Sequence, residues 1–392
     1  MRRTDTNQIE LCKYLAAKLH RRSKIYQFVD IRLETSKYLL KYYSTINPIV
    51  PLAIQYQVEF KKSLRILNLE SELELKYYTV LLEILTQTNT DVQYHDILNY
   101  LENFSVNIGI ESSKFHLFYY HLKYIMYEKK GEFLKAIESA RLGLVYFENL
   151  GYEHIGAKRI FLNSLSEGSL QLGYLTEAKQ AVVKSISLHG YEDQNWINLK
   201  KLLFGLQCHT LEIDNAYLTF KELEKVKSKK SLPDSISAFI EQGQLLFYYL
   251  SLSKKLESEY HLSSRQIRTI FDSLGKKKNV NEYFTKILQL LLKIQSRELS
   301  KEAGEEISDK VLNKKNPNFR SICFIKMLNI IPKSNYHPAA VIRKTQHLRN
   351  RLDEIPFTFK GNTDEYEILP YEFIWEMVIK DLKYVHNSAP MY

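Results

Sequence analysis

A pattern of about 40 residues is written three times between residues 113 and 229, and this leaves the chain few possible folds. Each copy reads as two helices folded back on one another. The clearest copy runs from Gly156 to His189 and contains IFLNSLSEGSLQLGYLTEAKQAVVKSISL. Ala136, Ala178 and Ala216 stand at equivalent points, 42 and 38 residues apart. Each follows a short turn (Lys130-Gly131-Glu132, Leu172-Gly173-Tyr174 or Leu211-Glu212-Ile213) and opens a second amphipathic helix. A unit this small cannot bury its apolar face alone, so the copies must stack on their neighbours. The expected helix pairs are 113–129 with 133–149, 154–171 with 175–188, and 194–209 with 213–228. Gly151 and Gly190 are expected to close second helices in the left-handed conformation.

The flanks also read as helices. Residues 6–46 carry apolar positions at helical spacing, enough for two helices. Asn47-Pro48 and Val50-Pro51 interrupt them, because the residue before a proline is pushed out of the helical region. Helices are expected over 51–67, 69–87 and about 90–106, then beyond the repeats over 234–252, 262–274 and 280–298. The polar, lysine-rich stretch Lys301–Asn318 reads as a joint. In the tail, helices are expected over 318–331, ending before Pro332, and over 338–354. After a loop at 355–369, Pro370 opens a last helix whose Ile374, Trp375, Val378 and Leu382 suit it to cap the end of the stack. Only 13 glycines and 9 prolines occur in 392 residues, which favours long helices over turn-rich sheets. The expectation is an all-α protein, a right-handed solenoid of stacked antiparallel helix pairs. It divides into an N-terminal helical segment (1–110), the repeats (111–300) and a C-terminal helical cap region (301–392).

The segment Gly173-Tyr-Leu-Thr-Glu-Ala178, with Leu165, Ser166 and Ser185 around it, resembles the tetratricopeptide repeat. Gly131-Glu-Phe133-Leu-Lys-Ala136, with Ala140 and Gly143, resembles it again. The chain departs from that pattern at Lys123, where an apolar residue is usual, and at Leu211, which stands in place of the glycine. Its spacing also exceeds the family's repeat of about 34 residues. The resemblance implies that the first helix of each pair lines a concave groove for an extended or helical peptide. Aligned on the turns, His121, Asn163, Glu167, Lys201 and His209 fall on that wall; as ordinary scaffold they would be plain surface residues. The tail, Glu367–Glu376 after Arg343-Lys344, resembles the C-termini of cytoplasmic helical proteins of Bacteroidota, which implies a bacterial origin without an activity.

The net charge of +10 is unevenly spread. Residues 1–50 hold ten Lys/Arg against four Asp/Glu, and residues 343–351 are basic as well. Such segments can hold nucleic acid; lysines on helix faces also serve solubility alone. Three cysteines, Cys12, Cys208 and Cys323, lie more than a hundred residues apart, which excludes a disulfide framework and fits a reducing cytoplasm. No signal peptide or membrane span is expected, since no run reaches 18 apolar residues. Phosphate-loop, dinucleotide, zinc-protease and nucleophile-elbow motifs are all missing from the sequence. His116 and His121 point to different helix faces, and Cys208 and His209 are helix neighbours that do not face each other. No catalytic residue, metal or cofactor is therefore expected. The leading expectation is a non-enzymatic module that binds a protein or peptide, with nucleic-acid binding through 1–50 and 343–351 as the alternative. A cytoplasmic signalling-peptide receptor is a third reading, weakened by the lack of a recognisable helix-turn-helix.

Overall fold

The computed structural model describes residues 2–86, 91–104, 109–229, 232–277, 280–312, 318–357, 359 and 367–388. Those residues form seventeen α-helices and one π-helical turn, with no strand among them. The chain divides into two compact units, Met1–Leu172 and Gly173–Tyr392.

The first unit contains α1 (Arg2–Ile25), α2 (Val29–Lys41), α3 (Val50–Thr86), α4 (Asp91–Asn103), α5 (Ser113–Lys129), α6 (Phe133–Glu148) and α7 (Ile155–Gln171). Helix α1 packs on α2, α2 runs along α3, α3 and α4 meet α5, and α5, α6 and α7 pack in turn. The break expected near residue 68 is missing: α3 is one helix of 37 residues. Pro51 lies in its first turn, where its absent N–H is not needed. Beyond it no glycine or proline occurs before Thr86, and a lone Asn68 costs a helix well under 1 kcal/mol. Arg32 on α2 is fully buried and donates to the carboxylate (2.9 Å) and the carbonyl (2.8 Å) of Glu111, which ties α2 to the start of α5.

The second unit contains α8 (Leu175–Ser187), α9 (Gln194–His209), α10 (Ile213–Lys229), α11 (Asp234–Leu252) and α12 (Ser264–Leu274). It continues through α13 (Glu282–Gln295), α14 (Lys301–Leu312), α15 (Phe319–Lys333), α16 (Pro338–Glu354) and α17 (Tyr371–Ser388). The stretch expected as a joint is largely helix α14, with Ile307 buried between α13 and α15; residues 313–317 lie outside the described residues. Helix α15 continues through Pro332 into its last turn instead of ending before it.

Helices α5 to α10 begin and end within one residue of their expected bounds. Ala136, Ala178 and Ala216 are each the fourth residue of a second helix and fully buried. The left-handed residues differ from expectation. Gly151 and Gly190 do not adopt that conformation, and the second helices end instead on right-handed caps at Asn149 and Leu188. The left-handed residue follows each first helix: Gly131 (φ 74°), Gly173 (φ 73°) and Leu211 (φ 58°). It recurs at Lys254 (φ 53°), Arg297 (φ 58°) and Asn335 (φ 49°), which gives six turns at spacings of 42, 38, 43, 43 and 38 residues. Most of these turns close with the same long hydrogen bond. Glu132 N–H donates to Tyr127, Glu212 to Gln207, Lys255 to Leu250, Glu298 to Lys293 and Tyr336 to Ile331, all over 2.8–3.1 Å. This is the bond that satisfies orphan carbonyls at a helix end. The period thus runs on to residue 335, far past the three copies visible in the side chains.

The tail lies against the other helices of its unit. Tyr371 stacks on Phe324 of α15 at 4.5 Å, and Ser253 at the end of α11 donates to Asp381 at 3.0 Å. Ile294 of α13 and Val378 of α17 face the same small cavity of about 40 Å³.

Candidate functional site

The five expected wall residues are divided between the units. His121 sits on α5 in the first unit, with Asn163 and Glu167 on the neighbouring α7; Lys201 and His209 sit on α9 in the second.

In the first unit, His121 Nδ1 shares a hydrogen bond of 2.9 Å with the Tyr77 hydroxyl, and Phe161 meets its ring edge-on. Burial pushes the imidazole down to about 4, so it is neutral at pH 7. One and two turns further along α5 stand Tyr124 and Glu128, on the same face as His121. The Tyr124 hydroxyl donates to Glu128 Oε1 at 3.3 Å. Burial first, and then the charges of Glu128 and Glu167, drive the phenol far above its ordinary range, so it remains a donor. Glu167 is exposed, yet packed closely enough for desolvation to act on its carboxyl. That shielding, followed by the negative charge of Glu128, raises its carboxyl. Beside it, Gly168 makes room for α6: a Cβ there would stand 2.9 Å from Ile137 Cγ1 and 3.6 Å from the Tyr124 ring. Among the described residues neither Glu128 nor Glu167 has a cationic partner. Glu167 is thus open to solvent and Glu128 partly so, while the Tyr124 ring is buried beside them and His121 is half-buried. Tyr124 and Glu128 were missed in the sequence, although their spacing from His121 was a signal that could have found them.

In the second unit the expected wall residues are engaged within the fold. Lys201 Nζ lies 5.1 Å from the centre of the Phe239 ring. The His209 ring stacks on Phe357 (5.0 Å) and Phe359 (4.7 Å), and its Nε2 pairs with the Glu367 carbonyl at 3.0 Å. Burial holds this imidazole at about 4, as it does His121. The segment over His209 is anchored by Arg320. Its guanidinium grips both oxygens of the buried Glu367 carboxylate (2.8 and 3.0 Å), Glu372 (2.6 Å) and the Leu352 carbonyl (2.8 Å). The Tyr371 N–H donates to the same carboxylate at 2.8 Å. Two carboxylates hold Arg320 firmly charged against its burial.

Several residues of the two basic segments are used locally. Lys13 pairs with Glu10 (2.5 Å), Lys24 with Glu59 (2.6 Å) and the buried Arg32 with Glu111; Arg349 pairs with Asp353 (3.3 Å), and Arg351 covers Phe319. Cys208 is buried, and burial pushes its thiol up, away from reactivity. Among the described residues no group of three His, Cys, Asp or Glu could hold a metal, and no helix is long and apolar enough to cross a membrane. Comparison of the chain with protein-family models, with curated proteins and with solved structures gave no match.

Proposed function

We propose that this protein is a non-enzymatic, tetratricopeptide-like helical-repeat module of the cytoplasm that holds a protein or peptide partner on the face of α5 and α7. The recurrence of one left-handed turn after six first helices supports the stacked-repeat, right-handed solenoid reading. The observation that carries the binding reading is the convergence of Glu128 and Glu167, unpaired with any cation, beside the Tyr124 hydroxyl. Desolvation and then the Glu128 charge raise the Glu167 carboxyl, and an incoming cation would relieve both. The fitting partner is an extended peptide that presents an arginine or lysine there. A receptor for a diffusible signalling peptide is one form this binding could take.

The test uses peptides on an array that differ only in arginine against citrulline at one position. Arginine peptides should be retained, and Glu128→Gln and Glu167→Gln should each weaken them about tenfold, roughly 1.4 kcal/mol per charged contact. Retention that ignores either change would overturn the assignment. Nucleic-acid binding has less charge to draw on, since Arg32, Lys24 and Arg349 already have acidic partners. A steep fall of DNA or RNA affinity with salt would restore it.

A further inference from the structure

In the second unit α12 packs on α11, but its backbone scarcely approaches α13. Between the three helices lies a cleft of about 650 Å³, within the size range of small-ligand sites. Two helix stripes face into it at matching spacing. One is Ser264, Ile267, Arg268 and Phe271 on α12; the other is Gln289, Leu292 and Lys293 on α13 with Ser296 capping its end. Each stripe sets one cation beside one aliphatic side chain, Arg268 next to Ile267 and Lys293 next to Leu292. Helix α11 adds Tyr248 and Leu252, and Leu252 is 42% exposed although it is a large apolar residue. Among the described residues neither Arg268 nor Lys293 has an acidic partner, and Glu298 is the one carboxylate in the lining.

We propose that this cleft binds an amphipathic monoanion, a carboxylate carried on an apolar chain of medium length. The chain lies along Ile267, Phe271, Leu292 and Leu252, which removes their apolar surface from water. The head sits between Arg268 and Lys293, where the guanidinium fork matches a carboxylate and the ammonium adds a point charge. Two cations against one acid leave the lining one positive charge in excess. One negative charge neutralises it, whereas a phosphate monoester dianion would overshoot.

The full-length protein is titrated with 11-(dansylamino)undecanoate, whose fluorescence rises on transfer to an apolar site. Decanoate, decanol, decylammonium and octyl phosphate are then used as competitors. Decanoate should displace the probe at one equivalent, with decanol about tenfold weaker and decylammonium weaker still. In the Arg268→Gln/Lys293→Gln variant, decanoate and decanol should become equal. Both residues are on the surface of the cleft, and unchanged thermal melting would show that the fold is kept. If the variant melts early, the comparison of decanoate with decanol on the unaltered protein decides. Equal affinities there, no saturable fluorescence gain, tighter binding of octyl phosphate, or a preference that persists in a folded variant would each overturn the proposal.

Discussion

The ring of Phe359 rests on the α-carbon of Gly205, so close that a Cβ there would stand 2.6 Å from the ring's Cζ. Gly205 lies inside α9, where a glycine is otherwise a poor choice, and Phe359 is only 4% exposed. Gly205→Ala should gain about 1 kcal/mol of helix propensity but lose about 1–3 kcal/mol to overpacking, for a net loss. Phe359→Ala should cost about 3–5 kcal/mol. In the Phe359→Ala background the sign reverses, and Gly205→Ala becomes stabilising. Denaturant unfolding of the four proteins measures this; a Gly205→Ala penalty that persists without the ring would place the clash elsewhere.

Gly173 and Leu211 take the same left-handed conformation after α7 and α9, one without a side chain and one with. Gly173→Ala should cost about 1–2 kcal/mol, because a Cβ is strained at φ 73°. Leu211 is 46% exposed, so little packing is lost when it is shortened. Leu211→Gly should therefore be neutral or stabilising by up to about 1 kcal/mol. Melting temperatures that shift the same way for both changes would contradict the shared conformation.

Two half-buried histidines make stability fall with acid. Folding lowers His121 and His209 from 6.5 to about 4, so between those values the unfolded chain binds more protons than the folded one. Their contribution is complete above pH 6.5 and is lost as pH falls towards 4. In His121→Gln and His209→Gln the loss of stability across that window should be smaller than in the unaltered protein. Unfolding measured at pH 7, 5.5 and 4.5 gives the slopes, and parallel curves would show that these rings charge freely in the fold.

Arg320 should be irreplaceable by lysine. A point charge cannot reproduce the fork on Glu367, the bond to Glu372 and the bond to the Leu352 carbonyl together. Arg320→Met leaves Glu367 buried without a cation and should cost about 3–5 kcal/mol; adding Glu367→Gln should recover part of that. Proteolysis of the second unit reports the loosening, and wild-type resistance in Arg320→Met would show that the cluster anchors nothing.

Much of this architecture was legible along the chain. The helix bounds from 113 to 229 follow from apolar spacing and from the turns at Gly131 and Gly173, because a helix face and a left-handed glycine leave local marks. The turns at Lys254, Arg297 and Asn335 left none: residues with side chains took the left-handed conformation, so the period vanished from the residue types while the backbone kept it. The continuity of α3 is hidden in the sequence because a pause in apolar spacing resembles a break when no breaker is present. His121, Asn163 and Glu167 lie on the neighbouring helices α5 and α7, but Tyr124 and Glu128 became visible only once α7 stood beside α5.

The sequence by itself determined an all-helical chain and the bounds of its helices from 113 to 229, since both depend on neighbours three and four residues away. Only the tertiary structure decided which first-helix residues remain accessible. Glu167 faces solvent from a shielded wall, whereas His209 lies under Phe357 and Phe359, paired with Glu367 at a separation of 158 residues. No local periodicity carries a contact of that length, because it is set by how the chain returns on itself.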